Sequence, residues 1–418
     1  MGSRRAPFRW LLVVALLLTV PSGTGATEAA SADGRGPITF VTGKDLTGYL
    51  QPLLDGWNHT HPGERVTLIQ LPEAADDVHA QMADSLRSGS SRFDVLNIDV
   101  EWTAEFAGAG WIAPIDAARL PLDSLLPHVL DTATFRGTLY AAPYVTNAGL
   151  LYYRKDLLAK AGVTPPRSYA ELEHDAATLA PRFGVGGYGT QLFPYEGLTV
   201  NLAEAVQSAG GSLLGGEDGT KVGVDSEAAR QGLDFLVRGV RDGWIPREAL
   251  TYKEEESREA FVEGRLLFLR NWPYVYESAA GPGSKVAGKF GVVPLPGSSV
   301  LGGSNLAINT HCRHPRTAAD LLAYLMSDAV QRQVLTRGAL PPVRAALYTD
   351  PALVRQFPYL PILRKSVESA EPRPKSARYD QVSLAVAAIT SDALTGRLTP
   401  TEAIAAMRQD LREIVAHH

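Results

Sequence analysis

From Leu266 to Tyr276 the chain reads Leu-Leu-Phe-Leu-Arg-Asn-Trp-Pro-Tyr-Val-Tyr, which sets Trp272, Tyr274 and Tyr276 around Pro273 directly after an apolar run. Pro273 suits the first turn of a helix, so Trp272 stands at a strand-to-helix junction, where α/β proteins often meet ligands. An indole there has two uses. It fills a core, or it stacks on the apolar C–H face of a sugar ring whose hydroxyls reach carboxylates, amides and guanidinium groups at the rim. Hydrogen bonds to charged groups are about twice as strong as neutral ones, so a carboxylate is the natural partner for such hydroxyls. Glu254, Glu255 and Glu256 lie beside Tyr252. A run of this kind is ordinarily a solvated face, and acidic groups also favour the N-terminal end of a helix, here the helix expected over 257–262. One member turned inward would supply the carboxylate.

Other chemistry finds little support. Gly184, Gly186 and Gly189 fit the spacing GxGxxG, but they follow a helical segment and precede a strand, the reverse of a dinucleotide-binding turn. They read as a turn. Gly281-Pro-Gly-Ser-Lys285 lacks the spacing of a phosphate loop. His311, Cys312 and His314 have no second cluster to complete the three or four ligands a zinc site needs. His59 and His61, and the terminal His417-His418, read as solvated. There is no GxSxG and no HExxH, so neither a serine hydrolase nor a zinc protease is indicated. No catalytic residue, cofactor or metal is expected. A glycoside hydrolase would need a carboxylate pair about 5–10 Å apart, for which Asp99 with Glu254 is the pair to consider.

The elements that would position these residues follow from periodicity. Short apolar runs at 37–41, 66–69 and 93–98 alternate with helical spacing over 46–57 and 74–86. Alternation of this kind builds an α/β layer with a parallel core. From Tyr140 to Tyr153 the chain is extended, and Pro143 argues against a central ladder position there, as in a strand crossing between two bodies. Helices are expected over 169–180, 196–208 and 226–242, strands over 266–269 and 290–293, and a mostly helical tail from Pro315, broken by Pro341-Pro342 and by the proline-rich stretch 358–374.

The chain has 418 residues, enough for two or three domains at roughly 150 residues each. A net charge of −5 advertises no nucleic-acid partner, and the single cysteine, Cys312, precludes an intramolecular disulfide. Arg4, Arg5 and Arg9 precede the apolar run Trp10 to Val20, and small and polar residues follow to Asp33. This is the three-part layout of a secretory signal, expected over 1–30, and the run is shorter than the roughly 20 residues of a spanning helix. An uncleaved membrane anchor is the alternative. The remaining chain is expected to be exported.

The order of motifs resembles the bacterial extracellular solute-binding proteins of family 1, most closely those binding trehalose, maltose and related α-glucosides. The motifs are Asp94-Val-Leu-Asn-Ile-Asp-Val-Glu-Trp-Thr-Ala-Glu-Phe106, Asn147-Ala-Gly-Leu-Leu-Tyr-Tyr-Arg-Lys-Asp-Leu157, Tyr195-Glu-Gly197, Phe268-Leu-Arg-Asn-Trp-Pro-Tyr274, Pro294-Leu-Pro-Gly297, Gly302-Gly303, and Arg373-Pro374 ahead of Tyr379. The resemblance implies a two-lobed α/β fold of the periplasmic-binding-protein type (class II), with a ligand cleft at the hinge. The first lobe would hold 37–145 plus 272–326 and the second 147–270 plus 328–418, with crossings near Tyr144 to Asn147, Asn271, and Leu325 to Asp328. It implies a monomer that captures a sugar and delivers it to the permease of an ABC importer with a cytoplasmic ATPase. A sugar sensor feeding a signalling receptor, or a binder of a non-sugar solute, is the alternative.

The resemblance also implies the ligand contacts. Asp99 would accept hydroxyl hydrogen bonds, Asn147 would donate and accept, and Glu254 would be the inward member of the acidic run with Glu255 in reserve. Trp272 would stack on a pyranose with Tyr274 nearby, Gly302 and Gly303 would admit backbone groups to the ligand, and Arg373 would fork onto two of its oxygens. Asp45 and Tyr195 would stand at the margin. Two departures matter. Ser304 stands where many relatives carry a tryptophan after the double glycine, and no lipobox cysteine follows the apolar run, which leaves the means of attachment to the outer membrane face open.

Overall fold

The computed structural model describes residues 33–216 and 219–416; the segment read as a signal and the terminal His417-His418 lie outside the described residues. Two sheets organise the chain. In the first, the parallel strands Val66–Gln70, Ile38–Thr42 and Val95–Asp99 lie side by side in that order. The strand Val300–Ile308 runs antiparallel along Val95–Asp99, and Ala141–Ala148 covers its other edge. Beyond Asp99, the two-residue strand Glu371-Pro372 pairs with the start of Val300–Ile308. Helices Leu50–Thr60 and Ala75–Arg87 make the crossovers, so the sheet is covered on both faces by separate apolar clusters. The continuous apolar character of the strands follows from burial on both sides.

The second sheet has the order Phe290–Pro294, Leu150–Arg154, Leu266–Asn271, Gly186–Gly189. Its central pair is antiparallel, and Gly186–Gly189 joins in parallel. Helices Tyr169–Phe183, Glu196–Ser208, Glu227–Arg241, Tyr379–Leu394 and Pro400–Ala416 pack around it. Ser168 and Ser226 cap two of these, accepting from the backbone N–H groups of Glu171 and Ala229. Gly184 ends the first of them with φ +66°, which is the turn expected from the glycine spacing. Among the described residues no helix is long and apolar enough to cross a membrane.

The lobe boundaries need correction. The first crossing falls at Gly149, between a strand of each sheet. The second was expected near Asn271, yet Phe290–Pro294 pairs with Leu150–Arg154 in the second sheet, so the chain stays there and crosses between Pro294 and Val300. Pro273 turns the chain into the short helix Val275–Ala280 rather than out of the lobe. The third crossing was expected between Leu325 and Asp328. Instead helix Asp328–Gly338 continues the first-lobe core through Val330 and Val334, while Leu335 on the same helix and then Val343 join the second. Residues 371–372 then return to the first sheet, a contact that local periodicity does not signal because its pairing partners lie some seventy positions earlier.

Pro143 sits opposite Asn305 at a register shift between Ser304 and Asn305, so its missing N–H falls at an irregularity. Two residues before that shift, Gly303 has φ +123°, and a Cβ there would lie 2.1 Å from the Val145 carbonyl oxygen. The close approach of these strands therefore requires glycine. Gly303→Ala is expected to destabilise the fold by roughly 2–4 kcal/mol, while Gly283→Ala, which meets nothing within 4 Å, stays within about 0.5 kcal/mol. Urea unfolding of both variants checks the contrast.

Candidate functional site

Parallel strands in α/β sheets present their ligands beyond their carboxyl ends. Here Asn97 and Asp99, two residues apart at the end of Val95–Asp99, face a cavity of about 240 Å3 between the lobes. Asn147, Tyr195, Glu254, Trp272, Gly302, Gly303 and Arg373 line it with them, as do Tyr49, Glu196, Ser304 and Leu340. Of the expected residues, Asp45, Glu255 and Tyr274 stand outside this chamber. Asp45 and Tyr274 line an adjoining one of about 250 Å3, which shares Tyr49, Asn97 and Leu340 with the first.

Trp272 is the platform. It follows strand Leu266–Asn271, whose last two side chains are buried. Asn271 donates to the Glu254 carbonyl and to Ser257 Oγ, each at 3.0 Å, and accepts from the Trp272 backbone N–H. Arg270 carries its guanidinium 4.1 Å from the indole centroid. That cation is fixed in turn by Glu204, which accepts from Nε at 2.8 Å and from Nη2 at 2.6 Å, with both side chains 1% exposed. A bidentate, desolvated pair of this kind is rigid. At its edge the indole passes over Gly302, where a Cβ would come within 3.1 Å of it. The glycine thus makes room for the ring, in addition to any approach of backbone to ligand.

The inward carboxylate of the acidic run is Glu254. Tyr195 donates to its Oε2 at 2.7 Å. Burial raises its pKa, opposed by the bonds from Tyr195 and Trp272. Glu255 is engaged elsewhere: it accepts from the Tyr274 hydroxyl at 2.6 Å and pairs with Arg258 at 2.8 Å. The run forms the first turn of helix Glu254–Val262, so successive side chains point 100° apart and only one can enter the chamber. Asp45 accepts from the backbone of Thr47, Gly48 and Leu50, which fixes the loop before helix Leu50–Thr60 and leaves little of its carboxylate for a ligand.

Arg373 does not play the part expected of it. Its fork is closed on protein carboxylates: Nη1 donates to Glu196 at 2.6 Å, and Nη2 to Asp99 at 2.8 Å while also contacting Glu101. Glu196 further accepts from the hydroxyls of Tyr379 and Ser383. With 4% of its side chain exposed, Arg373 is an internal tie between the end of a first-sheet strand and the start of second-lobe helix Glu196–Ser208. Asp99 keeps 26% exposure and so retains acceptor capacity toward the chamber. The amide oxygens of Asn97 and Asn147 accept no hydrogen bond among the described residues.

Residues 43–332 match the sequence profile of the bacterial extracellular solute-binding proteins. The chain belongs to that family. A protein of Deinococcus radiodurans described as a probable ABC transporter-binding protein is 32% identical over 94% of this chain and 96% of its own. The mannitol-binding protein of Pseudomonas aeruginosa is 26% identical, covering 89% of this chain and 91% of its own. Among solved structures, maltose-bound MalE3 of T. maritima is 33% identical with a TM-score of 0.85, covering 90% of this chain and 99% of that one. The two-lobed fold is common to this chain and that neighbour, and the family is one of solute-binding proteins.

Within this solute-binding protein, sequence reasoning missed Asn97, Glu101 and Glu196 as members of the site. Asn97 and Asp99 share a strand face by the period of two, which was a usable signal. Glu101 had none, since its role depends on Arg373, some 270 residues away. Burial raises the Glu101 pKa well above the usual carboxylate range; Arg373 opposes this, and Asp99 and Glu196 reinforce it. A carboxyl with a raised folded-state pKa binds its proton more tightly folded than unfolded. Stability therefore falls as pH rises from the ordinary glutamate range toward the folded value. Glu101→Gln is expected to raise the Tm at pH 8, leave it nearly unchanged at pH 4, and flatten the decline between. Differential scanning calorimetry across that range checks it.

Proposed function

We propose that the protein captures a sugar between its lobes and delivers it to the permease of an ABC importer, acting as a monomer outside the cell membrane. The cargo on this reading is an α-glucoside such as trehalose, maltose or a short maltodextrin. One observation carries it: an indole platform held by Arg270 stands in a chamber rich in oxygen acceptors. Asp99, Glu254, Asn97 and Asn147 offer oxygens, and two of these are amide oxygens without a partner among the described residues. A buried acceptor left unmade costs about 1–3 kcal/mol, so the preferred ligand brings many O–H donors.

The cation in the wall argues against an anionic cargo. Arg373 is bound to Asp99, Glu101 and Glu196, so a ligand carboxylate would have to compete with three internal ones. A neutral polyhydroxy compound meets no such competition. Two adjoining chambers of similar volume suit two linked rings, with Trp272 in the first and Tyr274 in the second. Among relatives, the maltose-bound neighbour supports a disaccharide and the mannitol-binding relative supports an open-chain polyol, which is the second reading.

A lobe-closing ligand has to favour the closed form to shift the population. Titration of the protein with trehalose, maltose, maltotriose, sucrose, glucose and mannitol, followed by tryptophan fluorescence and Tm, identifies the cargo. One α-glucoside is expected to bind, and Trp272→Ala to weaken it by about 2 kcal/mol, roughly thirtyfold. Binding of mannitol in preference to every glucoside would replace the sugar with a polyol. Response to neither, with a response to an amino acid or peptide, would overturn the reading. No ligand in the series is expected to be chemically altered on prolonged incubation.

A further inference from the structure

Outside the cleft, three helices converge on a different kind of chemistry. His79 on Ala75–Arg87, Glu105 on Trp102–Gly108 and Asp380 on Tyr379–Leu394 bring one imidazole nitrogen and two carboxylate oxygens within 4.8 Å of one another. His79 Nε2 lies 2.9 Å from Glu105 Oε2, and each side chain is only about a tenth exposed. The rings of Trp102 and Phe106, at 5.2 and 5.6 Å, hold the imidazole in place. Asp380 makes no hydrogen bond or ion pair with any described residue. The trio opens on a cavity of about 360 Å3, into which Asp76 also faces. The one arginine at its wall, Arg87, is tied to Asp84 at 2.8 Å.

Two of these groups belong to the first lobe, and Asp380 begins a helix of the second. We propose that His79, Glu105 and Asp380 form a zinc site that staples the two lobes in the closed form. One imidazole nitrogen and two carboxylate oxygens are a donor set zinc accepts, at roughly 2.0–2.2 Å, with water completing the tetrahedron. Ligand atoms around such an ion stand roughly 3.3 Å apart. The three donor atoms lie within 4.8 Å of one another, so a bound ion would draw Asp380 and His79 together, and because Asp380 rides on the opposite lobe this favours closure. Proximity of the lobes here is already marked by Asp76, which accepts from the Glu196 backbone N–H at 3.3 Å. An ion that favours closure and a cargo that favours closure strengthen each other's binding reciprocally.

The test uses zinc itself, so it does not depend on which cargo the cleft takes. The untagged chain is titrated with Zn2+ by calorimetry and followed by small-angle scattering. One zinc ion is expected to bind in the micromolar range, with a smaller radius of gyration and a higher Tm. Asp380→Asn, at a half-buried helix start, keeps the fold intact and is expected to weaken zinc at least about tenfold and remove the compaction. His79→Gln is expected to do the same. Absence of stoichiometric binding, or binding that both variants retain, would overturn the site. Binding without compaction would overturn the staple.

Discussion

Arg373 is the constraint on which the cleft depends. A guanidinium with 4% of its surface exposed cannot rely on water, and it is held by Asp99 and Glu101 from one lobe and Glu196 from the other. Burial works against its charge, and the three carboxylates more than reverse that effect. Removing the guanidinium would leave the buried carboxylates without their counter-charge, and breaking a buried ion pair in this way costs about 3–5 kcal/mol. The cluster therefore fixes the end of strand Val95–Asp99 against the start of helix Glu196–Ser208. The strand Glu371-Pro372 delivers Arg373 beside Asp99 at the wall of the chamber. The same anchorage sets the character of the site: the cation in its wall is already paired, and oxygen acceptors are prominent in what remains.

A second buried pair does for the aromatic wall what Arg373 does for the polar one. Glu204 carries more than the Arg270 fork: Val300 N–H and Ser299 Oγ also donate to it, at 3.2 and 3.3 Å. It thereby joins helix Glu196–Ser208, strand Leu266–Asn271 and the start of strand Val300–Ile308 at the point where the chain crosses between lobes. Trp272 lies on this junction with a cation on one side and Gly302 at its edge. Ser304, standing where many relatives are expected by the resemblance to carry a tryptophan, lines the chamber as a small polar group and leaves Trp272 as the single tryptophan of its wall among the described residues.

Much of this was open to a reader of the sequence. Helix Glu196–Ser208 and strand Phe290–Pro294 follow from patterns set by near neighbours, as does the junction at Trp272. The strand Val300–Ile308 was not, although it pairs with three others. Its glycines and polar residues lack alternation because it is central to its sheet and borders the cleft, so neither face is simply core or solvent. Glu254 is the member of its run that lines the chamber, whereas the partner of Glu255 depends on the turn that brings Tyr274 back over helix Glu254–Val262.

What the sequence determined by itself is what local chemistry and spacing specify: an α/β chain, its family, and the residue types gathered for a polyhydroxy ligand. Tertiary structure decided the assignments that depend on distance along the chain. It placed residues 272–294 with the second lobe, turned Arg373 from a ligand hand into an internal tie, and brought His79 and Asp380 together from helices three hundred residues apart. The physical reason is common to all three. Charges and sheet edges are satisfied by whichever partner folding brings within a few ångströms, and no local pattern records which partner that will be.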